Sequence, residues 1–454
     1  MSYRSRRMLL TPVCAALAVL CVGCGGPSTQ SAVDNAPSPA PPTAAPTRSS
    51  TPRQPAAPVG HRITSTFFGM HDGQVAQGIA PDAPIGALRL WDTGTSWRDL
   101  EKSPGHFDWT TLDTTVATAR RMHARPLLVL GQTPAFYASQ PHQQAAYGPG
   151  AASMPDLAAW RRYVSAVAAR YGDRIDYEIW NEADVVGYWT GTPEQMAQLT
   201  TTASHAIRAI APRATVVSPS FVLRLPSQRD DFEAYWALQS KRNDLAAAVD
   251  AVSVHLYPAA EGQPEDEVAI ADGARKVLAD HGVHLPLWNT EINYGLLGGP
   301  EPPPIPAERQ RAFLIRTYLL NAGMGVPRVY WYRWDLHSVA NTLLVEGDLT
   351  TETLAGRSFA LVRDWLAGTR VEECRQGVAG AGVWECVAHK GPQVRTFLWK
   401  PRGRPTRASA QGATSWTDAS GGVTRCHQAC RVPVGPAPVM VVDARADRPA
   451  IHVR

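Results

Sequence analysis

The sequence has little surplus charge of either sign. Lys and Arg together number 44 against 40 Asp and Glu in 454 residues. Three of the arginines, Arg4, Arg6 and Arg7, lie in an N-terminal segment with the features of a targeting signal. Without that segment the excess of basic residues falls from four to one, and no basic cluster remains. A nucleic-acid-binding protein concentrates positive charge on one face, so the composition argues against such a partner.

The sequence also lacks the short motifs of several enzyme classes. It contains no His-Glu-x-x-His zinc motif and no Gly-x-Ser-x-Gly nucleophile turn, and its 13 His residues are scattered. No glycine-rich phosphate turn follows any predicted strand, which argues against an open dinucleotide-binding sheet. We therefore expect neither a metal ion nor another cofactor.

Residues 1–24 have the composition of an export signal. The three arginines precede an apolar run, residues 8–22, that is too short to serve comfortably as a permanent membrane span. The run ends in Leu20-Cys21-Val22-Gly23-Cys24, which resembles a bacterial lipobox, although Cys21 stands where Leu is usual. This resemblance implies that Cys24 carries a lipid after cleavage; ordinary secretion with complete release is the alternative. Ser5-Arg6-Arg7-Met8-Leu9-Leu10 also resembles a twin-arginine signal.

Residues 25–60 are predicted to be a tether. The segment holds nine prolines and no aromatic residue, so it cannot bury enough apolar surface to fold. A tether that follows a lipid-carrying cysteine would hold a domain at the outer face of the bacterial cytoplasmic membrane. The predicted localisation is therefore an exported, lipid-anchored protein, with a secreted form as the alternative.

Residues 61–367 alternate between strand-like and helix-like segments. Helical patterns cover 157–171, 193–210, 307–322 and 354–366, and the second opens with Thr192 as N-cap and Pro193 in the first turn. Eight strands that alternate with helices predict an α/β protein, a (β/α)8 TIM barrel. The eight predicted strands are Ile63–Gly69, Gly86–Trp91, Arg125–Gly131, Arg174–Trp180, Ala214–Pro219, Asp250–Leu256, Leu285–Thr290 and Arg328–Tyr332.

Residues 368–454 are predicted to form a small β-sandwich-like module. Short strands are indicated at 371–374, 382–387, 394–399 and 439–443, with Gly, Pro and Ser between them. Four cysteines in an exported module suggest two disulfides, for which three pairings exist. We favour the two local pairs, Cys374 with Cys386 and Cys426 with Cys430. The run 426–430, Cys-His-Gln-Ala-Cys, leaves zinc as a less expected alternative.

Two glutamates carry the functional interpretation. Glu182 closes the fourth predicted strand and Glu291 closes the seventh. TIM barrels place their catalytic groups at the C-terminal ends of the strands, and paired carboxylates there are the machinery of glycoside hydrolysis. Glu182 follows Trp180-Asn181, whose apolar and amide groups suit a protonated acid, so Glu291 is assigned as the ionised nucleophile. The alternative is that each Glu only caps the segment that follows it.

These two motifs resemble clan A of the glycoside hydrolases. Trp180-Asn181-Glu182 resembles the Asn-Glu signature on strand four of that clan, and Thr290-Glu291 resembles the nucleophile motif on strand seven. With the β module, the chain is most similar to family 39, which includes β-xylosidases, α-L-iduronidases and bacterial exopolysaccharide hydrolases; family 5 is the rival. The likeness covers residues 61–367.

The same resemblance suggests three supporting positions. Val254-His255-Leu256-Tyr257-Pro258 resembles the strand-six motif whose tyrosine hydrogen-bonds the nucleophile, which implies roles for His255 and Tyr257. Arg89 resembles the strand-two arginine that keeps the nucleophile ionised. Trp334 follows strand eight, where the clan places an aromatic floor under the sugar. Each also has a structural alternative: a core ion pair for Arg89, a hydrogen-bonded scaffold role for His255, and core packing for Tyr257 and Trp334.

Further polar groups end the predicted strands. We expect Glu178 to be structural because it lies deeper in its strand than Glu182. Asp92 and Asp335 are the substitutes if either catalytic assignment fails. Additional substrate contacts are assigned to Asn181, His71, Asp72, Asn293 and Tyr294.

These observations predict a retaining glycoside hydrolase that acts on a cell-envelope or extracellular polysaccharide or glycoside, as a monomer. A transglycosylase with the same residues is one alternative, since a sugar can replace water as acceptor. A non-catalytic glycan-binding lipoprotein is another, although such a protein has no reason to retain both glutamates.

The predicted lipid anchor is directly testable. Cys24→Ala removes the thiol that would carry the lipid, so the protein should move from the membrane fraction to the soluble fraction on cell fractionation. A variant that stays with the membrane would place the anchor elsewhere.

Overall fold

The computed structural model describes residues 60–242, 244–295, 304–335, 341–377, 379–427, 429–443 and 450–453. Cys24, the predicted export signal and residues 25–59 of the predicted tether lie outside these ranges. Within them, no helix is both long enough and apolar enough to cross a membrane.

The fold prediction is confirmed: eight parallel strands close into a barrel. Each strand pairs with the next in the chain, the eighth pairs with the first, and bridges at Val217–Ala251 and Phe221–Val254 join the fifth to the sixth. Glu182 thus follows strand four, and Glu291 lies at the C-terminal end of strand seven. The strands are β1 Phe68–Met70, β2 Ala87–Leu90, β3 Arg125–Val129, β4 Asp176–Glu178, β5 Val216–Val217, β6 Val252–His255, β7 Leu287–Ile292 and β8 Val329–Trp331.

The barrel interior is built in layers because alternate residues of a strand point to the same side. On β2, Leu88 and Leu90 pack in the main core with the surrounding helices, while Ala87 belongs to a separate apolar cluster with Leu127, Val217, Ala251, Trp288 and Tyr330. Arg89 lies two residues above Ala87 on the same face. An apolar plug therefore fills the lower barrel, and a charged layer lies over it.

The helices surround the barrel. Asp156 caps α3 by accepting a bond from the Ala159 N–H at 2.8 Å. Thr192 and Gln195 form a capping box at the start of α4, as the predicted N-cap required. The helices are α1 Trp97–Leu100, α2 Thr110–Arg121, α3 Leu157–Tyr171, α4 Pro193–Ile210, α5 Pro226–Ala237, α6 Gln239–Arg242, α7 Asp266–Asp280, α8 Ala307–Gly323 and α9 Leu354–Leu366.

The C-terminal module contains two antiparallel sheets. The smaller sheet pairs β13 with β16 and β18, and the remaining strands join the larger sheet. Apolar residues from both sheets, among them Leu398, Val441, Ala408 and Val432, form one buried cluster, as in a sandwich. The strands are β9 Arg370–Val371, β10 Arg375–Gln376, β11 Trp384–Lys390, β12 Gln393–Trp399, β13 Thr406–Gln411, β14 Ser415–Thr417, β15 Val423–Arg425, β16 Ala429–Val434, β17 Val439–Asp443 and β18 Ala450–Val453.

Both favoured disulfides are present, Cys374–Cys386 and Cys426–Cys430. The sequence patterns indicated strands near β9, β11, β12 and β17 but missed the others in this module, which are short or rich in Arg, Thr and Ser. The larger sheet also takes in His61–Arg62, which pairs with β9. This strand comes from the segment that the sequence analysis assigned to the barrel.

The module packs on the outer helices of the barrel. The Trp399 Nε1–H donates to Glu265 Oε1 at 2.7 Å, just before α7, and Arg395 donates to the Trp365 carbonyl at 2.6 Å, in α9. The Trp365 and Phe397 rings pack at 5.7 Å between centroids. The module thus supports the helices that follow β6 and β8.

Candidate active site

A cavity of about 740 Å³ opens at the C-terminal ends of the barrel strands. Four of the predicted site residues line it, namely Asn181, Glu182, Tyr257 and Glu291. None of the described residues of the β module contributes to its wall. The other residues named below that line it are Trp91, Asp92, Tyr147, Tyr188, Arg224, Tyr332 and Arg333.

Glu291 is held by two donors from different strands. Arg89 Nη1 donates to its Oε2 at 2.9 Å, and the Tyr257 hydroxyl donates to its Oε1 at 2.8 Å. The residue is only 7% exposed. Burial raises the pKa of Glu291 to about 6, against the opposing effects of His255, Arg89 and the Tyr257 hydrogen bond. Its carboxyl is therefore an anion at neutral pH.

A β-bulge turns Glu291 into the cavity. The register of β7 shifts between Asn289 and Glu291 against β6 and between Asn289 and Ile292 against β8. Trp288 belongs to the inner plug, and Thr290 bonds the inward Ser253 hydroxyl at 2.6 Å. Strict alternation would then send Glu291 outward. The bulge lets consecutive side chains face the interior, as bulges next to functional sites do.

Arg89 joins three strands. Its guanidinium donates to both oxygens of Glu178 at 2.7 and 2.8 Å, to Glu291, and to Asn181 Oδ1 at 2.8 Å. Arg89 and Glu178 are fully buried. Ser253 adds a hydroxyl donor to Glu178 at 3.1 Å. Glu178 is therefore a structural partner of Arg89 below the cavity, which is where the sequence analysis placed it.

Glu182 occupies a different environment. Its backbone is left-handed, with φ 47°, and its N–H donates to Ser220 Oγ at 2.9 Å. Such a conformation costs a non-glycine residue about 1–2 kcal/mol and turns its side chain sharply from the strand direction. Glu182 Oε1 lies 2.9 Å from His255 Nδ1. Burial raises the pKa of Glu182 to about 7, although Arg89 and Arg224 oppose the shift.

The two glutamates approach each other through His255. One ligand atom from each of Glu182, His255 and Glu291 lies within 4.8 Å of the others. His255 Nδ1 is 4.0 Å from Glu291 Oε1. Burial lowers the pKa of His255 to about 4, so its ring is neutral at the pH where the carboxyls titrate. His255 therefore contacts the Glu182 carboxyl as a hydrogen-bonding partner without adding a charge.

Among the described residues, these three side chains are also the group that could bind a metal ion. Their existing bonds oppose that use. Both oxygens of Glu291 already accept hydrogen bonds, and the Arg89 guanidinium lies 2.9 Å from one of them. A positive charge at that distance repels a metal ion.

His71 and Asp72 lie outside the cavity wall. His71 is fully buried, and its Nε2–H donates to the Thr290 carbonyl at 3.0 Å, so it supports the residue before Glu291. Asp72 Oδ1 accepts the Gln74 N–H at 2.9 Å. Burial raises the pKa of Asp72 to about 7. Neither His71 nor Asp72 therefore faces the cavity.

Asn293, Tyr294 and Trp334 also lie outside the described wall of the cavity. The Asn293 amide bonds the backbone of Tyr332, Thr342 and Tyr294, which uses its oxygen and its nitrogen. Tyr294 bonds Glu267 and Thr317 among the outer helices. Trp334 is 2% exposed within the main core. Tyr332 lines the cavity instead, and both Tyr332 and Trp334 lie beyond the end of β8 at Trp331, where alternation along the strand no longer sets the direction of a side chain.

The substitute carboxylates are both engaged by neighbours. Asp92 lines the cavity and accepts hydrogen bonds from the hydroxyls of Tyr147 and, at 2.8 Å, Tyr332. Asp335 pairs with Arg333. Neither carboxylate has an arrangement comparable to that of Glu182 and Glu291.

An aromatic wall on one side of the cavity was missed from the sequence. The Trp91 ring lies 5.2 Å from Tyr147 and 6.1 Å from Tyr188 between centroids, and Tyr332 packs in the same cluster. Trp91 and Tyr332 end predicted strands, which was a usable signal. Tyr147 and Tyr188 come from loops whose positions no sequence pattern indicated.

Known proteins of similar fold were found among solved structures; no protein-family model and no curated protein matches this chain. A family 39 glycoside hydrolase from Bacteroides cellulosilyticus WH2 is 15% identical, with a TM-score of 0.64 over 84% of this chain and 81% of that one. A monomeric β-xylosidase from Caulobacter crescentus CB15 is 14% identical, with a TM-score of 0.60 over 85% and 97%. A GH30 endoxylanase from Clostridium papyrosolvens C71 is 12% identical, with a TM-score of 0.56 over 85% and 97%.

These alignments cover more of the chain than the barrel could supply, so they include the β module. At such low identity the likeness concerns the fold: a (β/α)8 barrel with a C-terminal β module, shared with glycoside hydrolases of families 39 and 30.

Removal of the Arg89 cation should destabilise the protein. Arg89→Met leaves Glu178 and Glu291 buried without their shared cation, which should lower the free energy of unfolding by about 3–5 kcal/mol. Urea denaturation would measure the loss. The double variant Arg89→Met/Glu178→Met removes one of the two unpaired buried anions and should recover part of the lost free energy of unfolding. Wild-type stability in the single variant would contradict this account of the charged layer.

Proposed function

We propose that this protein is a retaining glycoside hydrolase in which Glu291 is the nucleophile and Glu182 is the general acid and base. The supporting observation is the pair of strand-end carboxyls, which have oxygens within 4.8 Å of each other. Retaining enzymes place their two carboxyls about 5–5.5 Å apart, whereas inverting enzymes leave about 6.5–9.5 Å for a water molecule. The observed separation favours direct attack by a carboxylate.

The two environments support the division of roles. Glu291 carries a buried arginine and a tyrosine hydroxyl as donors, and both stabilise its anion. Glu182 has no ion pair with an arginine or a lysine among the described residues, and its pKa is raised further, to about 7. An acid with such a pKa is partly protonated at neutral pH and can donate a proton.

The reaction proceeds in two displacements. Glu291 attacks the anomeric carbon while the Glu182 proton passes to the leaving oxygen, so the glycosidic bond breaks and an ester to Glu291 forms. Water then attacks the same carbon, Glu182 takes its proton, and the Glu291 carboxylate is released. Burial keeps the pKa of Tyr257 well above its ordinary value, so its hydroxyl remains a donor to Glu291 throughout.

The substrate is a polysaccharide or glycoside of the cell envelope or the extracellular space. The aromatic wall of Trp91, Tyr147, Tyr188 and Tyr332 supplies apolar faces of the kind on which sugar rings stack. Two neighbours of similar fold are described as a β-xylosidase and an endoxylanase, so β-xylosides are the first compounds to test, within a wider panel of aryl glycosides and envelope polysaccharides.

The site of action follows from the proposed export signal. The enzyme works at the outer face of the cytoplasmic membrane, where the lipid on Cys24 holds it. It acts as a monomer, and the structural neighbours include a monomeric β-xylosidase. Cys14→Ala is the matched control for Cys24→Ala, since it removes a cysteine outside the Leu20–Cys24 run and should leave the protein in the membrane fraction.

Substitution of the two glutamates should have different effects. Glu291→Ala should abolish turnover of every substrate, because no glycosyl-enzyme can form. Glu182→Ala should still react with activated aryl glycosides, whose leaving groups need no proton, and then stall. Added azide, which needs no base, should restore turnover and give a glycosyl azide of retained configuration. Glu194→Ala, an exposed position at the start of α4, is the control and should behave like wild type.

Product stereochemistry decides the mechanism. NMR of the first-formed product of wild type should show the retained anomer. An inverted product would mean that Glu291 activates water and never bonds to the sugar.

The pH dependence should be bell-shaped and narrow. Below pH about 6, Glu291 takes up a proton and cannot attack; above pH about 7, Glu182 loses its proton and cannot donate. The rate kcat/KM should therefore peak between these values and fall by about tenfold per pH unit on each side, with limbs that belong to the coupled pair. An alkaline limb that persists unchanged in Glu182→Ala would contradict the assigned roles.

A further inference from the structure

A second cavity adjoins the proposed catalytic cavity. It has a volume of about 270 Å³ and lies at the ends of β2 and β3 and the start of α1. Trp91, Asp92 and Tyr147 line both cavities. These three side chains therefore form a border that the two cavities share.

Gln132 is the polar group in this second cavity that lacks a partner. It follows β3, is 6% exposed, and lines the cavity, yet no hydrogen bond joins its side-chain amide to any residue in the described ranges. Other polar side chains of the wall are used within the fold: Thr95 bonds Thr93 at 2.7 Å, and Ser96 bonds Asp99 at 2.6 Å. Since Gln132 lines the cavity and makes no such bond, its amide is available to a ligand that enters the cavity.

The chemistry of the wall indicates what that ligand is. An amide donates and accepts, which matches neighbouring sugar hydroxyls, and Trp91 supplies an apolar surface. The wall carries the carboxylates of Asp92 and Asp99 and no Lys or Arg, which disfavours an anionic group. The volume of about 270 Å³ lies just below the usual range of ligand pockets, about 300–1,000 Å³, so the cavity suits no more than one sugar unit.

We propose that this cavity is a subsite for a neutral sugar unit attached to the unit that is cleaved, and that Gln132 recognises it. The proposal rests on the glycosidase function and extends it: the substrate is an oligosaccharide or polysaccharide chain, and reactivity increases with chain length. Gln132 acts on specificity and does not contact the bond that breaks.

Kinetics on two kinds of substrate test the subsite. The intact protein and its Gln132→Met variant would be compared on the aryl monoglycoside selected by the screen and on oligosaccharides of two to four units of the same sugar (xylo-, cello- or manno-oligosaccharides). Wild type should gain in kcat/KM with length. Gln132→Met should keep its rate on the monoglycoside within about twofold and lose about tenfold on the longer substrates, the value of one hydrogen bond.

Gln144→Met is the matched control, because Gln144 is exposed in the loop that carries Tyr147 and lines neither cavity. It should match wild type on both substrates. Equal losses of Gln132→Met on the monoglycoside and the oligosaccharides would make Gln132 a structural residue and overturn the proposal. So would a wild-type rate that does not change with length.

Calorimetric binding of the same oligosaccharides separates this proposal from the glycosidase function. If wild type hydrolyses nothing but Gln132→Met weakens binding about tenfold relative to Gln144→Met, the glycosidase function fails and the subsite stands. If wild type hydrolyses the glycosides and both variants bind and react alike, the function stands and the subsite is refuted. If wild type neither hydrolyses nor binds them, both fail.

Discussion

The buried guanidinium of Arg89 is the interaction on which the site depends. It contributes hydrogen bonds to Glu178, Asn181 and Glu291, so one cation from β2 fixes side chains on or after β4 and β7. A single charge shared by two buried carboxylates is tolerable only because each of their four oxygens accepts at least one hydrogen bond. That requirement links the geometry of the site to barrel closure, since the three strands must keep their registers for this four-residue network to form.

The residues beneath and around this cation explain the pKa values of the two glutamates in the cavity. An apolar plug lies below the charged layer, and desolvation by burial is the largest cause of the raised pKa of both Glu182 and Glu291. The hydrogen-bond partners of the two glutamates then make their pKa values differ. Glu291 receives Arg89 and Tyr257 as donors, while Glu182 meets the uncharged His255. Two identical residue types thus acquire different acidities from their surroundings, which is the condition for acid–base chemistry near neutral pH.

The aromatic wall and the second cavity extend the site along one side. Trp91 directly follows β2, two residues beyond Arg89, so the strand and its end supply the central cation and an apolar face for a ligand. Tyr147 reaches the cavity from the long loop after β3 and bonds Asp92, which connects that loop to the barrel rim. Rigid strands therefore hold the charged centre, and loops define how far a ligand can extend.

Much of this arrangement was predictable because it depends on local patterns. Apolar runs of strand length, caps such as Thr192, and carboxylates directly after strands four and seven all follow from neighbouring residues, and so did the fold class and the local disulfide pairs. The aromatic wall was not predictable in the same way: Trp334 is the obvious aromatic after β8, yet Tyr332 lines the cavity and Trp334 packs in the core, and both lie beyond the last residue of the strand.

The sequence by itself determined the order of strands and helices, the position of two glutamates at strand ends and the presence of a buried arginine, because each is a property of residues close in the chain. The tertiary structure alone decided which side chains face the cavity. The bulge of β7 at Glu291, the left-handed backbone at Glu182 and the loop positions of Tyr147 and Tyr188 depend on pairing with strands and loops far away in the chain. A shift of one residue in register reverses the direction of every following side chain, and only long-range contacts set that register.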